Sequence, residues 1–190
     1  MNKKLRLLMT MDCPNNCPMC CNNRFNIESI PVVDRWDYEE IMITGGEPLY
    51  RNSSDVIEVA RSIRQIQMMM GVSSKIYLYT ATKQASFLID VIRASYYSLN
   101  LHKTRIFDGV VFTPHDAKAI RALYSTTKVV ADIDTDFSFR LNLFKDIEDQ
   151  MDNFDEIEKI WNIKRIEWIE DCPVSEGEDF RRIHKLIRYK

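Results

Sequence analysis

Short β-rich runs alternate with helical patterns along almost the whole chain, and that alternation restricts the fold more than any other feature. Leu5 to Thr10 reads as a first strand. Glu40-Ile41-Met42-Ile43-Thr44 is a second, stopped by Gly45-Gly46. Ser54 and Asp55 can cap a helix whose apolar positions Val56, Val59, Ala60, Ile63 and Ile66 recur at helical spacing. Lys75 to Thr80 is β-branched and aromatic, a third strand, and Phe87, Leu88, Val91 and Ile92 mark the helix after it. Gly109 to Thr113 is a fourth strand, backed by Ala119, Ile120 and Leu123. Phe139 to Phe144 alternates strictly, as a fifth strand does. Ile147, Met151, Phe154, Ile157 and Trp161 form a helical stripe, Arg165 to Ile169 a sixth strand, and Phe180, Ile183 and Ile187 a closing helix. Only Asn26 to Val33, where the first crossover helix belongs, lacks a helical stripe.

Six strands alternating with helices predict a parallel sheet joined by right-handed crossovers. A closed barrel of this kind needs eight units. Six units in 190 residues therefore predict an open, partial (β/α)6 barrel in one domain spanning 1–190. A doubly wound flat sheet is the alternative that periodicity leaves open. A hydrophobic fraction of 45% supports a sizeable core. With 26 basic against 28 acidic side chains, the net charge of -2 argues against a nucleic-acid partner. No apolar run approaches the roughly 18 residues that span a bilayer, so no membrane partner is expected. The basic-then-apolar start from Met1 to Leu8 is too short for a signal peptide, and the expectation is a soluble, cytoplasmic protein.

Four of the five cysteines fall between positions 13 and 21, which is metal-site spacing in a reducing compartment and not a secreted disulfide framework. Cys13-Pro14-Asn15-Asn16-Cys17-Pro18-Met19-Cys20 is a C-x3-C-x2-C pattern directly after the first strand. Three thiolates on one loop can hold three corners of a cubane cluster and leave the fourth iron open. Structural zinc with Cys21 as fourth ligand is the rival. Adjacent cysteines such as Cys20 and Cys21 point apart, however, and the second knuckle of a usual zinc site is missing. Ile43-Thr44-Gly45-Gly46-Glu47-Pro48-Leu49 ends the second strand. Gly-Gly lets a backbone edge approach a ligand closely, the Glu47 carboxylate can accept from a ligand ammonium group, and Pro48 stops the strand. The alternative is an ordinary turn with an exposed glutamate.

Together the two motifs, each at the end of its strand, resemble the radical S-adenosylmethionine (radical SAM) superfamily, whose fold is a partial (β/α)6 barrel. The resemblance implies a radical SAM core domain in which Cys13, Cys17 and Cys20 bind a [4Fe–4S] cluster. S-adenosyl-L-methionine would chelate the open iron, with Gly45, Gly46 and Glu47 along its methionine end. It implies reductive cleavage to methionine and a 5′-deoxyadenosyl radical that abstracts hydrogen from a substrate the sequence does not name. An electron donor such as flavodoxin or ferredoxin is the implied partner. The family usually has an aromatic residue before the third cysteine, beside the adenine, and here Met19 takes that place.

Other positions are expected on the ligand side. Arg140 and Asn142 share one face of the fifth strand, placing Arg140 to pair with the cofactor carboxylate. Thr80 and Thr113 end the third and fourth strands. His115 is placed to exchange a proton or contact the ribose, while Asp116 beside it can simply cap the next helix. Cys172 follows the sixth strand, where a thiol can donate hydrogen to a radical, although a lone cysteine is commonly a small buried hydrophobe. So short a chain implies a small substrate or a partner protein completing the wall. An activating enzyme for a glycyl-radical partner is one alternative function, and a zinc-stabilised interaction module without catalysis is another.

Overall fold

The computed structural model describes residues 3–15, 17, 20, 26–102, 104–133, 136–152, 154–167 and 176–189, the side chains of 99–102 excepted. Strand β1 (Lys4–Thr10) leads through a 3-10 turn (Ile27–Ser29) to β2 (Glu40–Gly45). Then come α1 (Ser54–Met70), β3 (Lys75–Thr80), α2 (Ala85–His102), β4 (Gly109–Phe112), α3 (Ala117–Val130) and β5 (Ser138–Leu143). Two short helices, α4 (Lys145–Glu148) and α5 (Phe154–Glu158), precede β6 (Asn162–Arg165) and β7 (Glu178–Ile187). The strands form one sheet in the order β6-β5-β4-β3-β2-β1-β7, every pair parallel. No helix among the described residues is long and apolar enough to cross a membrane.

Strands one to six are neighbours in chain order, and right-handed crossovers between sequential neighbours put every helix on the same side. The packing agrees. One core cluster joins Leu5, Leu7, Ile41, Ile43, Ile76, Leu78, Val110, Phe112, Leu141 and Leu143 to apolar faces of α1, α2, α3, α4 and α5. A doubly wound sheet would divide its helices between two faces. Side chains alternate along a strand, so Arg6, Leu8, Met42, Thr44, Tyr77, Tyr79, Val111, Arg140 and Asn142 occupy the other face, helix-free among the described residues.

Three expectations need correction. The closing helix is the strand β7, parallel to the outer edge of β1. Its register jumps between Leu8↔Arg182 and Thr10↔Ile187, and the extra residues give Phe180, Ile183 and Ile187 their helix-like spacing. Unpaired backbone groups along β1 favour a strand there, and Arg6 locks it by binding Glu178 through two hydrogen bonds of 2.8 and 2.9 Å. Val32 and its neighbours cover part of the next edge, with Val33 N–H donating to Arg182 O at 2.9 Å. The stripe from Ile147 to Trp161 is two short helices and not one. The sixth strand begins earlier than expected, at Asn162, paired with Arg140.

Trp161 explains the last two shifts. It leaves the helix to fill the core against Phe112 and Phe139, ring centroids 6.1 and 5.4 Å away, and donates its indole N–H to Thr127 Oγ1 at 2.9 Å. Replacing Trp161 with alanine is therefore expected to lower the unfolding free energy by about 3–5 kcal/mol in urea titration. A cost below about 0.5 kcal/mol would mark it as a surface position instead.

Candidate functional site

The two sequence motifs meet where β1 and β2 end. Gly46 N–H donates to Thr10 O at 2.7 Å, and Glu47 N–H donates to Asp12 O at 2.8 Å, so the Gly-Gly-Glu segment extends the β1–β2 ladder up to the residue before Cys13. A Cβ on Gly45, whose φ is 141°, would stand 2.2 Å from Thr10 O, and one on Gly46 would stand 2.3 Å from Asp12 O. Both obstacles are backbone and cannot swing aside. The close approach these glycines permit is thus to the root of the cysteine loop.

Glu47 is buried, 1% exposed, and its carboxylate braces the next strand. Oε1 accepts from Leu49 N–H at 2.9 Å and from the Thr80 hydroxyl at 2.5 Å, and Oε2 accepts from Ala81 N–H at 2.7 Å. Burial pushes its carboxyl above the usual range, against the pull of those three donors. Thr80 also accepts from Thr82 N–H at 3.1 Å, so its hydroxyl is committed to this brace. A carboxylate has about four acceptor positions, which leaves Glu47 capacity for one further donor.

Cys13, Cys17 and Cys20 are half-buried free thiols on the loop above this brace. Asn15 N–H points at Cys13 Sγ at 3.4 Å, and Cys20 N–H donates to Cys17 O at 3.2 Å. Burial, opposed by the hydrogen bond from Asn15 N–H and joined by the weaker charges of Glu47, Cys17 and Cys20, pushes the Cys13 thiol up to about 11. Burial and Cys20 also raise Cys17, while Lys83 pulls it down. Among the described residues no three His, Cys, Asp or Glu side chains form a ready metal cage. The loop leans over β3, with Asn15 Nδ2 3.5 Å from Ala81 O. Lys83 binds Asp116 at 2.7 Å, and Asp116 caps α3 by accepting from Lys118 and Ala119 N–H, both at 2.9 Å.

His115 is half-buried, its ring 5.8 Å from that of Phe144, and burial lowers its basicity. Thr113 and Asn142 come together at the ends of β4 and β5, Asn142 Nδ2 lying 3.5 Å from Thr113 Oγ1. Arg140 does not join them. Its guanidinium leans toward the strand starts, over the Tyr77 ring at 4.0 Å. Met19, Cys21 and Cys172 lie outside the described residues.

Sequence reasoning passed over Asp12 and Tyr189. Asp12 Oδ2 accepts from Tyr189 N–H at 2.6 Å, and the Tyr189 hydroxyl donates to Pro48 O at 2.7 Å, clasping both motifs from the segment after β7. Asp12 was legible only as the neighbour of Cys13, and nothing in the local sequence marks Tyr189. A shallow crevice lined by Ile92, Tyr96, Arg105, Ile133 and Phe137 lies at the other end of the sheet. With about 10 Å³ of enclosed space it has room for no more than about one water molecule.

No family model, no curated protein and no solved structure matches this chain. The site is therefore argued from its own geometry. That geometry makes Gly46→Ala costly by about 1–3 kcal/mol or more, because a methyl group must displace the Asp12 carbonyl. Urea unfolding checks the cost, and alkylation of Cys13 should quicken as the loop root loosens. A variant as stable as the parent, with unchanged thiol reactivity, would show that the two motifs are not joined as described.

Proposed function

We propose that this chain is a radical S-adenosylmethionine enzyme on a partial (β/α)6 barrel, with Cys13, Cys17 and Cys20 holding a [4Fe–4S] cluster. The observation that carries the reading is the splice of the Gly45-Gly46-Glu47 segment to Thr10 and Asp12, which sets the cysteine loop at the C-terminal ends of parallel strands. Ligands gather at that edge in α/β sheets. Sheet curvature is supported by the helix-free face, where Leu8, Met42, Tyr77 and Val111 are 1%, 7%, 3% and 2% exposed without a helix above them. A flat sheet would leave them to water. A curled one covers them with each other's neighbours.

The chemistry of the donor set suits the cluster, although the three thiols do not stand together as a ready cage. Three soft thiols sit on one short loop, and a bound cation would offset the burial that raises Cys13 and Cys17. Held by Cys13, Cys17 and Cys20, a cluster would supply the electron for reductive cleavage of S-adenosylmethionine. The chain's own part is placement. Glu47, braced by Thr80 and Ala81, holds the β2 end rigid beside the loop. Its remaining acceptor position suits an ammonium group. Thr113 and Asn142 offer a hydroxyl and an amide at the same level for the ribose or carboxylate. A low-potential donor such as flavodoxin or ferredoxin would reduce the cluster, and a cytoplasmic setting suits its thiolates.

Anaerobically reconstituted and reduced, the chain is expected to convert S-adenosylmethionine to 5′-deoxyadenosine, measured by chromatography. Cys17→Ala should abolish that product. Equal turnover in the variant would refute the ligand assignment, and no product from the parent would refute the activity.

A further inference from the structure

Arg140 is the one half-buried arginine described that has neither a carboxylate nor a carbonyl partner. Arg6 is held by Glu178, Arg64 by Asp108, Arg105 by Asp136, Arg181 by Asp179, and Arg182 by the carbonyls of Ile30 and His184. Arg35 has Asp37. Among the described residues Arg140 donates Nε–H to Ser138 Oγ at 3.2 Å and stacks on Tyr77, with no further protein acceptor. A guanidinium carries five N–H donors in a planar fork, so among the described residues neither terminal nitrogen has an acceptor.

The platform under this group is built for it. Tyr77, Gly109 and Ser138 form one rung across β3, β4 and β5, and Arg140 reaches back to that rung from the next. A Cβ on Gly109 would stand 2.4 Å from Ser138 O and 2.8 Å from the Tyr77 ring. Glycine therefore lets Tyr77 and Ser138 close up, giving the guanidinium a ring face and a hydroxyl together. The described acidic groups near it are committed elsewhere, Glu178 to Arg6 and Glu40 to Lys4 at 3.8 Å. A partly desolvated positive charge without an anion is costly, and such departures gather at functional sites.

We propose that Arg140, laid on Tyr77, is an oxyanion-binding site on the floor of the helix-free face, and that the substrate carries a carboxylate or phosphate group. Taking this face as the substrate side rests on the function proposed above. The distance separates Arg140 from the cofactor. The Ser138 level lies four residues below Asn142, roughly 13 Å at ~3.3 Å per residue. The substrate is thus an elongated small molecule, its anionic end on Arg140 and its reacting end toward the cysteine loop. Asn142 and Thr113, not Arg140, remain at the level of the cofactor.

The test is a titration of the full chain, metal-free and reconstituted, with benzoate, phenyl phosphate and neutral benzamide at constant ionic strength. Binding is read from the arginine Nε–Hε NMR signals. The expected result is a saturable shift of the Arg140 signal with at least one anion and none with benzamide. Arg140→Gln should weaken that binding by ~10-fold or more, as loss of a charge-assisted fork does. Arg140→Lys, which keeps the charge and loses the plane, should fall between, and thermal melts check that both variants fold. Response to benzoate alone identifies a carboxylate ligand, and response to phenyl phosphate alone a phosphate. No saturable binding by the parent, or equal binding by Arg140→Gln, overturns the proposal. Anion binding by a chain that takes up no iron would keep this site and remove the radical function, and iron uptake without anion binding would do the reverse.

Discussion

The hydrogen bonds from Gly46 and Glu47 to Thr10 and Asp12 hold the arrangement together. They continue the β1–β2 ladder past the end of the sheet, so the cysteine loop starts from a fixed root. Only residues without a Cβ can stand there, because the carbonyls of Thr10 and Asp12 occupy that space. Glu47 carries the constraint one strand further through Thr80 and Ala81, and Tyr189 closes it from β7. The ends of β1, β2, β3 and β7 are tied to one another before any ligand is considered.

The sequential strand order gives this root its setting. Every helix packs on one face, and the core is apolar and continuous there. The opposite face carries arginine, tyrosine, threonine and asparagine between buried apolar residues. Burial of that kind asks for partners, which most of these groups find in one another. Burial raises the Tyr79 hydroxyl above its ordinary range amid the charges of Glu40, Arg140, Glu178 and Arg6. Arg140 finds a hydroxyl in Ser138 and a ring in Tyr77 but no carboxylate among the described residues, and that difference is what the proposed anion site rests on.

Much of this was legible in the sequence where one periodicity acted alone. The first five strands and the helices α1, α2 and α3 fall where alternation and helical spacing put them, because each buries a single face. The spacing failed where two demands overlapped. Phe180, Ile183 and Ile187 mimic a helix because β7 changes register against β1, and register depends on a partner strand distant in sequence. Trp161 mimics the end of a helical stripe, yet its indole belongs to the core between α3 and the sheet. At the site, the proximity of the cysteine and glycine motifs was legible. The inward use of both glycines and of the Glu47 carboxylate was not, since each answers to a backbone atom on another strand. Arg140 was correctly placed on the polar face, but rotamer and stacking, which no local pattern encodes, turn it away from the loop.

The central claim is that a cysteine loop rooted in this way holds a cluster able to receive S-adenosylmethionine. Electron paramagnetic resonance of the reconstituted, dithionite-reduced chain addresses it most directly. The account predicts about four irons per chain, as a [4Fe–4S] cluster requires, with a reduced-cluster signal that changes shape when S-adenosylmethionine is added. One zinc per chain, with no iron signal after anaerobic reconstitution, would contradict it.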